Sequence, residues 1–525
     1  MSFLFKRLEF LLTASFILVA PFCLAENAPS DANSYPTYMQ LRNLGLGQEA
    51  ITVSDLEFKR DAATFVLRSG TLCFVAPVNG KVTGAVFEGE GTMTLDPPLE
   101  VEKKSLRYLT KGREFAETFN RLVMRFTDDT YSELKKAGST ASTSCDEGPL
   151  RDSQEKMRKS IRYNLNARIL QDVLRQAPGG LFVAFVHGKQ FDGKLLYIVD
   201  PQGAFEVTPE EVELSTYGEN KSGIWAAFPM SAEYRIKLGP GAEGGSNFHI
   251  ERQQIDTTIE GSAKLIGKAI TTVVPLKPGT RVLHFNLFPT LRLQTVVGQD
   301  GKSLPFVQED KLEDSDPYVI LPEPLAANQK YTITFSYSGK DAVYKVDEGY
   351  YYPFARDNWY PSNPGAGFAD YSTYELTFHT PKYTKMAATG NLVREATEGN
   401  ENLTVWKSDV PQAVAGFQFG EMKSEEAKLT SPDVLVAVYA NPTRHGGTYF
   451  AGTTVSNMKR SLTEAEHAVN LYTEYFGPMP YKRLSLTEQA SCNFGQAWPG
   501  LIWLPACAML DKSMLDFNDV MNRGY

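Results

Sequence analysis

Six histidines, at 187, 249, 284, 379, 445 and 467, are the side chains of this chain best suited to metal or acid–base chemistry. A helical zinc centre for hydrolysis needs two histidines four positions apart with a glutamate directly after the first. Both imidazoles then reach one tetrahedral ion, and the carboxylate acts on the bound water. No histidine pair here has that spacing. Glu464 and His467 are one helical step apart, a spacing that can bind metals, but His467 lies off the apolar stripe of its segment and a solvated polar face is expected. His187 falls between a strand and its turn, with no Ser, Cys or carboxylate at a suggestive spacing, so a structural or solvent-facing role is expected. The same holds for His249, His284, His379 and His445. The sequence therefore predicts no catalytic residue and no metal ligand within the chain.

The elements around these residues follow from periodicity. From about 40 to 240, alternating runs such as Ala63-Thr64-Phe65-Val66-Leu67 and Gly84-Ala85-Val86-Phe87 read as strands punctuated by glycine turns. A helix is predicted at about 153–176, where Met157, Ile161, Leu165, Ile169 and Val173 recur every fourth residue before Gly179-Gly180. Leu181–Val186 and Leu195–Val199 read as a hairpin. The first unit is thus an α+β module of unknown role. Gly239–Gly245 reads as a linker. Beyond it, short strands and turns over 246–430 predict an all-β sandwich or saddle-like sheet pair. From about 440 the pattern changes. Val455, Met458, Leu462, Ala465, Val469, Tyr472 and Phe476 share one helix face, Gly477-Pro478 ends the helix, and Leu484–Thr487 is a strand. A helical or α+β domain therefore begins before residue 525.

Length and composition agree with this plan. A chain of 525 residues exceeds what one core usually organises, and two to four domains of about 100–200 residues are expected. Residues 1–25 carry Lys6 and Arg7, an apolar run from Phe10 to Phe22, and Cys23-Leu24-Ala25, which predicts an export signal cleaved after Ala25. The run is shorter than the ~20 residues of a spanning helix, and no later segment is long and apolar enough to span, so no integral span is expected after cleavage. The predicted location is periplasmic or extracellular. Cleavage leaves 51 basic and 61 acidic residues, a net charge of −10 against −9 for the whole chain, which argues against nucleic acid as a partner. Cys73, Cys145, Cys492 and Cys507 remain, open to one or two disulfides in three pairings or to buried free thiols.

Five features in order carry a resemblance: a strand-rich region, Trp359-Tyr360-Pro361, Tyr374–Pro381, Ala388-Thr389-Gly390-Asn391-Leu392, and a helix running into Tyr475-Phe476-Gly477-Pro478-Met479-Pro480-Tyr481. Over about 245–525 the chain resembles the membrane alanyl aminopeptidase family of gluzincin metallopeptidases, which includes aminopeptidase N. The resemblance implies a sandwich packed over a thermolysin-like catalytic domain, peptide or protein substrates, and zinc in the complete protein. The chain is expected to end before the His-Glu-x-x-His motif, and alone it is expected neither to bind catalytic zinc nor to hydrolyse peptides.

In that family a Gly-x-Met-Glu-Asn strand, often followed by Pro-Gly-Leu-Ile, walls the substrate cleft, and its Glu holds the substrate amine. Matching Pro499-Gly500-Leu501-Ile502 places Ala497 at the Glu and Trp498 at the Asn. The implied substrate-binding residues are Gly495, Gln496, Ala497, Trp498, Gly500 and Tyr350. A methyl group cannot pair with an ammonium, so endopeptidase-like or relaxed aminopeptidase cleavage is expected. Tyr350, Tyr351, Tyr352, Trp359, Tyr360 and Trp498 either line an aromatic cleft or pack at a domain interface. A rival class is a non-catalytic peptide-binding or scaffold protein of the cell envelope.

Overall fold

The computed structural model describes residues 34–509 except 143, 176–178, 191–193, 219–220, 237–245, 347–348, 355, 357, 365–369, 443–452 and 490–494. The export signal, the Gly239–Gly245 linker, His445 and Cys492 lie outside the described residues.

The first unit is built on a nine-stranded antiparallel sheet running from Leu46–Arg60 to Lys221–Phe228, with a two-residue strand, Ser139–Thr140, at one edge. Both faces are buried. Phe182, Ala184 and Val186 join Phe58, Phe65 and Phe87 on one side, while Val183 and Phe185 join Val86, Leu196 and Ile198 on the other. That explains the unbroken apolar run at 181–186, since a strand covered on both faces has no polar alternate position. The helix predicted at 153–176 is broken: Gly148–Lys156 runs into a π turn, Met157–Ile161, and a second helix spans Leu165–Leu174. Arg162 between them has φ 60°, and the Asn164 side chain caps the second helix by accepting from the Ala167 N–H at 3.0 Å. The apolar spacing survives the break, with Met157, Leu165, Ile169 and Val173 all buried, so periodicity alone did not reveal it. Cys73 and Cys145 are joined by a disulfide, and Cys507 is disulfide-bonded as well.

The next unit is a sandwich. One layer is a seven-stranded sheet in the order 292–298, 331–339, 265–275, 248–259, 373–381, 401–407, 391–398. The other layer consists of a three-stranded sheet (280–284, 318–325, 306–307) and a four-stranded sheet (343–346, 350–353, 417–420, 385–388). Strand Leu265–Pro275 alternates strictly between buried and more exposed residues, as a sheet with one solvated face requires. The three-stranded sheet serves two cores. Leu283, Val319 and Leu321 face the sandwich interior, while Val282, Tyr318 and Ile320 pack on the helices of the first unit. Polar contacts reinforce that junction: Glu309 accepts from the Arg42 guanidinium at 2.7 Å and from the Tyr38 hydroxyl at 2.5 Å.

The last unit is a five-stranded mixed sheet in the order 423–430, 433–440, 483–489, 501–505, 496–498. Strands Asp433–Ala440 and Arg483–Gln489 are parallel, so a crossover must join them, and helix Met458–Phe476 lies within it. Met458, Ala465 and Val469 pack on Val434, Val436 and Val438. Gly477, with φ 83°, ends the helix. The predicted apolar stripe overshoots this contact, because Tyr472 and Phe476 are 61% and 82% exposed. Among the described residues no helix is long and apolar enough to cross a membrane.

Candidate functional site

The opposite face of the five-stranded sheet rests on the four-stranded sheet of the sandwich through Ala437, Tyr439, Leu501 and Trp503 against Tyr350, Ala387 and Val414. Arg483 stitches the same junction. Its guanidinium lies 5.4 Å from the centre of the Trp406 ring, donates to Tyr439 Oη at 2.7 Å, and pairs with Glu426 at 2.6 Å.

Residues 495–505 form the outer edge. Strand Gln496–Trp498 runs antiparallel to Leu501–Pro505, with Gln496 opposite Trp503, Ala497 opposite Ile502 and Trp498 opposite Leu501. Pro499-Gly500 is the connecting turn. Gly500 has φ 70°, and a Cβ there would sit 2.9 Å from the Arg483 carbonyl oxygen, so both the backbone conformation and the close approach call for glycine. Directly opposed residues share a face, so Gln496 and Trp498 point with Trp503 and Leu501 towards the sandwich, and Ala497 points the other way. The short hairpin closes at the Trp498–Leu501 pair. Alternation along the strand then turns the backbone N–H and C=O of Ala497 outward, away from Leu501–Pro505. Among the described residues, nothing pairs with that outer edge. Gly495 and Ala497 are exposed, and Gln496 and Gly500 are half-buried.

Trp498 is the anchor of this edge. It is 5% exposed, its ring centre is 4.4 Å from that of Trp503, and its indole N–H donates to the Arg356 carbonyl at 3.1 Å. The ring covers Gly416, where a Cβ would approach it to 2.6 Å. Tyr350, expected at a substrate, is instead packed. It is 2% exposed, and its hydroxyl meets the Gln418 amide, which also donates to the Glu488 carbonyl at 2.7 Å. Burial, followed by the Glu488 charge, pushes its phenol well above the ordinary range. Tyr351, Trp359 and Tyr360 are also buried, in the sandwich core, so packing accounts for the set: within the sandwich for these three, and at the junction of the two units for Tyr350 and Trp498. Tyr352 remains half-buried, edge-on to Trp503 at 5.5 Å. Sequence reasoning missed the buried chain Tyr350–Gln418–Glu488–Thr454, which no local pattern announces because its members come from four separate elements.

The histidines are dispersed. His249 meets Asp370, His284 meets Asp316 at 3.1 Å, and His379 meets Asp256 at 3.3 Å and Glu401 at 3.5 Å. Burial, aided by Arg121 and Lys194, pushes the His187 imidazole below its ordinary value. Glu464 and His467 are exposed, Glu464 being paired with Arg460. Among the described residues no three His, Cys, Asp or Glu side chains come together to hold a metal. Among these residues, therefore, no donor set fits the zinc that the family resemblance implies.

No protein-family model matches the chain, and no curated protein does. Among solved structures it is similar to an M1 zinc metallopeptidase from Deinococcus radiodurans, with 16% identity over 50% of this chain and 62% of that one and a TM-score of 0.41. A mutant of that peptidase bound to a Tyr-Ser-Ala substrate gives 17% identity over 52% and 64%, with a TM-score of 0.42. The chain thus spans less than two thirds of the length of these neighbours.

Proposed function

We propose that this chain is the N-terminal portion of an exported, aminopeptidase N-like zinc peptidase, in which residues 495–500 bind the substrate backbone and the zinc ligands belong to sequence outside these 525 residues. The observation that carries the reading is the position of Gln496–Trp498. It is an antiparallel edge strand on a mixed sheet, joined by the Pro499-Gly500 turn to the strand beginning Leu501-Ile502, with the backbone of Ala497 turned outward. An extended peptide adds to such an edge through main-chain hydrogen bonds. The packing of the sandwich beneath this sheet supports the order of units that the resemblance implies, and the Cys73–Cys145 bond suits an oxidising compartment.

No catalytic step is assigned to the described residues. A second reading, a peptide-binding scaffold of the cell envelope, is favoured by the absence of a fitting zinc donor set among the described residues. Specificity separates the alternatives. Ala497 is exposed and, by the matching of Pro499–Ile502, takes the place of the carboxylate that meets the substrate amine, so the complete enzyme should discriminate weakly between matched peptides with free and acetylated N-termini. A preference of about a thousandfold for the free amine, on the order of 4 kcal/mol, would show that a true amine anchor exists and that the matching of Pro499–Ile502 is wrong. Absence of hydrolysis of either peptide by the complete gene product would favour the scaffold.

A further inference from the structure

A cleft of about 460 Å³ opens between the first unit and the sandwich, within the size range of small-ligand sites. It lies on elements other than the edge strand and needs no zinc. Its lining carries both signs of charge, and one lining carboxylate, Glu313, is already paired with Arg158 at 3.0 Å. Asp314 and Asp316 stand on the sandwich side. Asp314 accepts from the backbone N–H groups of Asn164, at 2.8 Å, and Asp316, at 3.1 Å, and no Lys or Arg pairs with it among the described residues. Asp316 receives the His284 ring at 3.1 Å, and that ring stacks on Tyr318 at 4.2 Å.

The opposite charge is at the rim. Arg162 and Lys311 line the same cleft, are exposed, and form no ion pair within the described protein. Arg162 is held in the left-handed conformation where the two helices break, which fixes the backbone from which its side chain departs. On a third wall Arg168 grips Asp200 through two 2.8 Å bonds and meets Asp172 at 3.0 Å, one guanidinium shared by two carboxylates. Beside it Gln171, 8% exposed, has a side-chain oxygen without a hydrogen-bond partner. An unmatched buried acceptor is costly, and here it adjoins a cleft that can admit a donor.

We propose that this cleft is a binding site for a small zwitterion of the short-peptide class, its ammonium group on Asp314 and Asp316, its carboxylate on Arg162 and Lys311, and an amide N–H available to Gln171. A cation alone would leave the two rim bases unmatched, and an anion alone would have to sit beside two carboxylates. Desolvation and the neighbouring Asp316 charge raise the Asp314 carboxyl to about 6 against the opposing pull of His284, which accords with a carboxylate that no Lys or Arg pairs with among the described residues.

The test is isothermal titration of the full chain, without zinc, using trialanine, its N-acetyl form and its C-terminal amide. Trialanine should bind saturably, and capping either end should weaken binding tenfold or more. Asp314→Asn should abolish the preference for the free amine, and the double substitution Arg162→Gln with Lys311→Gln should abolish the preference for the free carboxylate. No saturation by about 10 mM trialanine, or equal affinity for all three peptides, overturns the proposal. Binding that Asp314→Asn leaves unchanged also overturns it, and would place the peptide elsewhere, for instance on the edge strand. None of these outcomes depends on whether a complete gene product is a peptidase.

Discussion

Replacing Trp498 by alanine should release the edge strand while leaving most of the protein folded. The indole is 5% exposed, lies against Trp503 and Gly416, and donates one hydrogen bond to the Arg356 carbonyl. Truncating a buried Trp costs about 3–5 kcal/mol, and that figure includes a hydrogen bond worth about 1 kcal/mol. Strand Gln496–Trp498 has only three residues, so few other contacts compensate. A single unfolding free energy is poorly defined for a chain of several units, and the appropriate assay is native-state hydrogen exchange of the Leu501 and Trp503 amides, which face Trp498 and Gln496. A local loss of 3–5 kcal/mol corresponds to protection reduced by about two to four orders of magnitude. Trp498→Phe keeps an aromatic ring in the packing and loses the N–H donor, so the reduction should be about fivefold. Unchanged protection in Trp498→Ala would refute the assignment of Trp498 as the anchor.

Two further predictions concern the first unit and its junction with the sandwich. Arg168→Ala leaves Asp172 and Asp200 buried without their cation, at a cost of about 3–5 kcal/mol, visible as a lower thermal midpoint of the transition that includes the nine-stranded sheet; a shift within error would contradict the role given to this group. Asp314 binds its proton more tightly folded than unfolded, since its carboxyl rises from 3.8 to about 6. Its stabilising contribution is therefore complete below about pH 4 and is lost as pH rises through 6. Thermal midpoints measured from pH 4 to 7 should fall more steeply for the native chain than for Asp314→Asn, and parallel curves would refute the shift.

Much of the architecture was legible because it is written in local periods. The alternation of Leu265–Pro275 and Tyr331–Gly339, and the three-and-four spacing along Met458–Phe476, reflect burial against one neighbouring layer. What escaped depends on partners distant in sequence. The break at Arg162 is invisible to an apolar spacing that continues through it, and turns on one Asn164 side chain finding the Ala167 N–H. The Cys73–Cys145 pairing was one of three permitted by counting, and it requires residues 72 positions apart to meet. Tyr350 and Trp498 look in sequence like a recognition surface, because aromatic residues serve binding and packing equally well. Only the seating of one sheet on another assigns them to packing. The exposed Ala497 and the turn at Gly500 were legible as a segment, whereas the outward direction of the Ala497 backbone needed the register with Ile502.

The central claim, that Gln496–Trp498 takes up an extended peptide, is tested most directly by amide hydrogen exchange of the full chain with and without a saturating N-acetylated, C-amidated peptide, whose capped ends remove the charges proposed for binding in the interdomain cleft. The account predicts that the Ala497 amide, turned away from Leu501–Pro505, becomes strongly protected when the peptide pairs with it, while the strands of the nine-stranded sheet do not change. Peptide binding with no change at Ala497 would contradict it.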